Sequence, residues 1–146
     1  MRCAIEDTLK HVLFLAKYLN HCDLNCMALV VLIELGFSTK MDGFDYLQNA
    51  IVLRCHDSTQ RVTKSIYITV GQGYSPQLDK DQVEFAIRSA IVGAWKDRDE
   101  STWRCYFPVD RNGNVKKPTN AEFISRVARI LELWQGCCKE VGHERA

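Results

Sequence analysis

The 146-residue sequence predicts an all-α domain of six helices. Apolar residues recur at helical spacing in one segment after another. Capping residues stand at the starts of several of these segments. The chain has only three Pro and eight Gly, and they fall mostly at the breaks between segments.

The first helix is expected at 3–19, where Ile5, Leu9, Val12, Leu13, Ala16 and Leu19 share one face. The second spans 23–35, with Asp23 as N-cap and Gly36 as its stop. Met27, Val30, Val31, Leu32 and Ile33 make it apolar nearly all round, which predicts a central helix. The third starts near Asp42 and buries Phe44, Leu47, Ala50 and Ile51. The fourth spans 60–70, with Val62, Ile66 and Val70 in register, and Gly71, Gly73 and Pro76 break it. The fifth opens at Asp81 and Glu84, a capping-box-like pair with Asp in place of Ser or Thr, and buries Val83, Ile87, Ala90, Ile91 and Ala94. Residues 97–117 read as a loop holding at most one small hairpin, at the favoured turn pair Asn112-Gly113. The last helix begins at the capping box Thr119 and Glu122. It buries Phe123, Val127, Ile130, Leu131 and Trp134 and ends at Gly136. Tyr46, Tyr67 and Trp95 are assigned to the core. The expected organisation is an amphipathic helix within 1–22, a helical domain at 23–136 and a tail at 137–146.

An apolar content of 47% with 25% charged residues excludes a disordered chain. The net charge of +1 argues against a uniformly basic nucleic-acid binder but leaves room for a local basic patch. The longest apolar run, 27–33, is too short to span a membrane, and Glu34 breaks it. The N-terminal residues carry acids where a signal peptide would be apolar, so a cytoplasmic protein without a membrane partner is expected. Seven Cys, an odd number without an export signal, read as free thiols. His21, Cys22 and Cys26 lack a second ligand pair at zinc-site spacing, and Cys137-Cys138 is treated alike, so neither metal nor cofactor is expected. His11, His21, His56 and His143 are scattered, without an acid or nucleophile at a telling spacing. No Gly-rich phosphate loop, HExxH or GxSxG is present, so no catalytic residue is assigned and the protein reads as a non-enzyme.

Four segments in order carry a resemblance: KMDGFDYLQNAI at 40–51, TKSIY at 63–67, VEFAIRSAIVGAW at 83–95 and KPTNAEFI at 117–124. They are similar to the GYxYLxxAI, TKxLY, VExAIRxAIxxAW and KPTNxEFI patterns of the C-terminal DNA-binding effector domain of the stage-zero sporulation protein A family. The spacing between the third and fourth segments agrees too. The resemblance covers residues 24–135. It implies a six-helix domain in which the fourth and fifth helices form the helix-turn-helix and the fifth enters the major groove. It also implies double-stranded DNA as partner, pairs of domains on tandem sites, and control of transcription in sporulation. That family is normally switched by an attached phospho-receiver domain. Only residues 1–22 precede the matched region, so no phosphorylation switch is expected in this sequence, and the first helix is left to cap the core or mediate dimerisation.

Residue by residue, the resemblance puts Thr63, Lys64, Lys117, Thr119 and Asn120 beside phosphate and matches Glu84 and Arg88 to the recognition helix. Gln82 and Phe85 stand where the family has base-reading arginines, and Ser89 stands for a His. The turn is longer, and Gly71 and Gly73 weaken the helix before it.

The residues themselves allow base readout. Phe85, Ser89, Val92 and Lys96 lie on the outer face of the fifth helix, flanked by Asp81, Gln82 and Arg88. Gln pairs with adenine through two hydrogen bonds, and Phe can contact a thymine methyl. Residues 75–98 balance four cations against four carboxylates, whereas 104–129 set six against two. The second stretch, with Lys116 and Lys117, is the candidate phosphate-facing patch. Two functions therefore stand. One is a DNA-binding transcription regulator with altered sequence preference, using Lys64, Gln82, Glu84, Phe85, Arg88, Lys116, Lys117 and Asn120. The other is a helical protein-interaction module that kept the fold, reduced or lost DNA binding, and meets its partner at the Phe85 face.

Overall fold

The computed structural model describes residues 23–56 and 64–143, with side chains as far as residue 136. Six helices occur among these residues: α1 (Leu24–Glu34), α2 (Asp42–His56), α3 (Lys64–Gln72), α4 (Lys80–Lys96), α5 (Glu100–Tyr106) and α6 (Asn120–His143). The all-α class holds, but the six are not the expected six. The predicted helix at 3–19 and the start of the fourth helix at 60–63 lie outside the described residues. α5 lies within the stretch expected to be a loop.

α1 is capped at both ends as its sequence suggests. The Asp23 carboxylate accepts from the Cys26 N–H at 2.8 Å. At the other end Gly36 adopts φ +88°. Its N–H donates to the Ile33 carbonyl, and the Phe37 N–H reaches back to Leu32, both at 3.0 Å. This is a Schellman stop, which needs a residue free to take positive φ.

α1 is not the central helix. It packs against α2 and α6, and Ile33 stays 52% exposed. Uniform apolarity misled the reading, because it fixes no buried face. The hub is α2, which touches α1, α3, α4 and α6. Its Phe44, Leu47, Ala50 and Ile51 are buried. Gly43 lets α4 approach: a Cβ there would overlap the Ala86 carbonyl and press on the Ala90 methyl.

α5 exists because of one side chain. Trp103 is fully buried, and its indole N–H donates to the Leu35 carbonyl at 3.1 Å. Its ring meets Phe37, Trp95, Phe107 and Phe123 at centroid distances of 5.3–6.4 Å. Asp99 caps the helix through the Ser101 N–H at 3.1 Å. Seven residues are too few for periodicity to register, so tertiary packing decides here.

A short hairpin follows, closed by one antiparallel bridge between Val109 and Val115. The turn is not the two-residue form expected of Asn112-Gly113. The Gly113 N–H donates to the Asp110 carbonyl at 3.0 Å, and the Asp110 N–H donates to Asn114 at 2.8 Å. With Gly113 at φ +80°, this is a three-residue loop.

The other helix ends also correct the reading. The α4 capping box is Asp79 with Gln82, two residues before the expected pair. The Gln82 N–H donates to Asp79 Oδ1 at 2.8 Å, and the Asp79 N–H donates to Gln82 Oε1 at 3.0 Å. Asp81 falls in the first turn, where a carboxylate favours the helix dipole. Thr119 caps α6 as expected, accepting from the Glu122 N–H at 3.2 Å. That helix runs through Gly136 to His143, since Gly136 is not in the positive-φ conformation that ends a helix.

Gly43→Ala should destabilise the domain by about 1–3 kcal/mol, the cost of overpacking. Gly93, inside α4 with only the Met41 sulfur at 4.0 Å from a would-be Cβ, is the contrast. Gly93→Ala should stabilise by roughly 0.5–1 kcal/mol. Denaturant unfolding of both variants checks the pair.

Candidate nucleic-acid interface

α3 and α4 are joined by a turn at 73–79 and pack on each other. Gly71, in the last turn of α3, makes the turn possible. Its carbonyl accepts from the Tyr74 and Leu78 N–H groups at 3.3 and 3.1 Å, and a Cβ would overlap the Leu78 carbonyl. α4 then buries Val83, Ile87, Ala90, Ile91 and Ala94. Its outer side presents Phe85, 68% exposed, and Val92, 41% exposed.

Beside α4 lies a cleft of about 580 Å³, bounded by α3, α4 and the start of α6. Lys64, Glu84, Arg88, Lys117 and Asn120 all line it. Sequence reasoning thus selected five residues that the fold gathers from three parts of the chain. Three of them are cations and one is a carboxylate. The α6 N-terminus adds partial positive charge through the helix dipole. Glu84 and Arg88 pair at 3.1 Å, one turn apart and both solvent-accessible. Such a pair contributes about 0–1 kcal/mol, so Arg88 can exchange this partner for another at little cost.

The other three selected residues stand elsewhere. Phe85 is on the open face of α4, outside the cleft lining. Lys116 is exposed one residue ahead of Lys117. Gln82 is exposed, but its carbonyl oxygen is taken up in the capping box. Thr63 lies outside the described residues.

The basic stretch at 104–129 does not act as one patch. Arg126 Nε donates to the Tyr106 carbonyl at 2.7 Å, holding α6 to the end of α5. Arg129 pairs with Glu132 at 3.5 Å. Arg104, Arg111, Lys116 and Lys117 remain exposed.

Two residues that matter to the site were not singled out for it. Tyr67, expected only as core, is buried at the cleft wall. Burial pushes its phenol up, and a hydrogen bond from Asn120 opposes the shift. Glu100 braces the segment that leads to Lys116 and Lys117. Its carboxylate accepts from the Val115 N–H at 3.0 Å and from Arg98 Nε at 2.7 Å. Arg98 in turn lies over the Trp95 ring at 3.6 Å. Both roles depend on contacts between distant segments; the TKSIY segment includes Tyr67 but does not show what it touches, and no local pattern marks Glu100.

Among the described residues no group of three or more His, Cys, Asp or Glu is placed to hold a metal ion. Cys26 and Cys55 are free thiols, while His21 and Cys22 lie outside the described residues. Burial pushes the Cys55 thiol up to about 11, and its sulfur sits 3.6 Å from the Ala128 carbonyl, so this cysteine is a packing residue. No described helix is long and apolar enough to cross a membrane.

A helix-turn-helix whose second helix has an open outer face beside a cationic cleft defines a DNA-binding domain of the transcription-regulator class. The chain matches the family described as sporulation initiation factor Spo0A C terminal over residues 29–131, and it belongs to that family. It is accordingly a DNA-binding sporulation transcription factor domain, in a family that is not one of enzymes.

The Val115 N–H, then Arg98, hold the Glu100 carboxyl below the usual carboxylate range. A carboxyl held low stabilises the fold above its unfolded range, and that contribution is lost as pH falls through the folded value. Glu100→Gln should therefore lower the thermal midpoint at neutral pH. The gap to the parent protein should close as pH drops below roughly 4.3, the ordinary glutamate value. Melting curves across this range test it, and a gap independent of pH would refute the role given to the charge.

Proposed function

We propose that the domain binds duplex DNA with α4 in the major groove and with a sequence preference shifted from that of its family. One observation carries the reading: Lys64 from α3, Arg88 from α4 and Lys117 from ahead of α6 converge on one cleft along the recognition helix. Cations meeting from separate elements at the flank of such a helix suit a phosphate backbone. Lys64 and Lys117 take phosphates, and Lys116 adds a contact from beside the cleft. Arg88 reads guanine through a bidentate pair, and Glu84 accepts from a cytosine amino group. Phe85 packs on a thymine methyl. The shift in preference follows from Gln82 and Phe85 occupying positions where the family resemblance implies arginines. Two copies on tandem sites, acting in the cytoplasm, complete the reading.

A second reading has its own support. Phe85 and Val92 are apolar, exposed and on one face of α4, as a protein contact would require. Here the cleft cations steer a partner instead of binding DNA.

Fluorescence anisotropy with duplex DNA carrying the family's site, a scrambled duplex and a salt titration separates the two. On the DNA reading, Lys116→Ala/Lys117→Ala weakens both duplexes evenly and reduces the salt slope by about 2. Arg88→Ala costs about 1–3 kcal/mol and relaxes the preference at one position. A folded protein that binds neither duplex at low salt would sink the phosphate assignment and leave the Phe85 face as the working surface. The shifted preference is tested by selecting from a randomised duplex pool. Recovery of the unaltered family site would refute it.

A further inference from the structure

Asn120 was expected to face phosphate, but its geometry suits a different task. It is the first residue of α6, and its Nδ2 donates to the Glu84 backbone carbonyl at 3.1 Å, across 36 positions of sequence. The same amide lies beside the phenol of Tyr67, a buried residue of α3, and opposes the upward push of burial on it. One amide thus ties together the three elements that bound the cleft. Its nitrogen is bonded to the Glu84 carbonyl and turned toward the Tyr67 phenol. What remains is the Oδ1 atom, an acceptor, and phosphate oxygens are acceptors too.

We infer that Asn120 is a positioning residue that fixes the roll of the recognition helix, and that it makes no direct DNA contact. This rests on the DNA-binding reading above. The carbonyl it holds belongs to Glu84, on the turn of α4 that carries Glu84, Phe85 and Arg88. Holding that carbonyl sets the angle at which these three side chains leave the helix. The anchor is itself held, because Thr119 accepts from the Glu122 N–H at 3.2 Å and the Phe123 N–H donates to the Thr119 carbonyl at 2.9 Å. A side chain mounted on a capped helix end can transmit position, where one on a free loop cannot.

The test pairs two measurements on the full chain. Hydrogen exchange of the free protein, read over 80–92, reports whether α4 is held. Anisotropy with the duplex that the parent protein selects from a random pool, and with a scrambled duplex, reports discrimination. In Asn120→Ala, exchange in the first half of α4 should quicken about fivefold, as expected for the loss of one hydrogen bond. The affinity ratio between the two duplexes should fall on the order of tenfold, with the salt slope unchanged. Asn120→Asp keeps the shape and suits a helix N-terminus, but it cannot donate to a carbonyl. It should quicken the same exchange while the fold is retained.

Unchanged α4 exchange in both variants overturns the inference. So does a salt slope reduced by about 1 with the affinity ratio intact, the signature of a lost phosphate contact. If the parent protein selects no duplex, the DNA-binding reading fails. The exchange data then still decide whether Asn120 holds α4.

Discussion

The crossing of α2 and α4 at Gly43 is the constraint on which the rest of the domain depends. Backbone meets backbone there, with no side chain between Gly43 and the Ala86 carbonyl. α2 touches four other helices, so the position of α4 is passed on to most of the core. A second backbone contact, from Asn120 to the Glu84 carbonyl, lies two residues away. α4 is thus gripped near its middle by α2 and by the start of α6, and its outer side stays open. A recognition helix needs this division, one side fixed in the fold and the other free to meet a groove.

Charge follows the same division. A net charge of +1 says little about the cleft, where three cations face one carboxylate. Several arginines that raise the count elsewhere have structural work. Arg98 covers Trp95 and pairs with Glu100, and Arg126 holds the Tyr106 carbonyl. Counting charge along 104–129 overstated the patch, because guanidinium groups serve packing and carbonyl satisfaction as readily as phosphate.

Much of the fold was legible because an amphipathic helix writes its buried face into the sequence. The stripes of α2, α4 and α6 follow Phe44, Val83 and Phe123 as expected. The failures have physical causes. α5 has no stripe to read and owes its place to Trp103, whose partners come from three other segments of the chain and from Phe107 at the helix's own C-cap. Two overlapping pairs, Asp79 with Gln82 and Asp81 with Glu84, both fit the pattern of a capped start, and only the path of the turn through Leu78 selects the first. In the site, Lys64, Arg88 and Lys117 were legible through motif resemblance. Tyr67 and Glu100 were not, since what they do depends on Asn120 and Val115, each far away in sequence.

On the proposed DNA-binding reading, Gln82 has one amide and two uses. Its carbonyl oxygen closes the capping box at the start of α4. An amide so engaged cannot hold an adenine by two bonds at the same time. Reading at that position is therefore thermodynamically linked to the integrity of the first helical turn, a cap that contributes about 1 kcal/mol. Selection acting on this residue faces a trade-off. A side chain better suited to bases loosens the helix that presents it, and one better suited to capping leaves the first position of the helix unable to read.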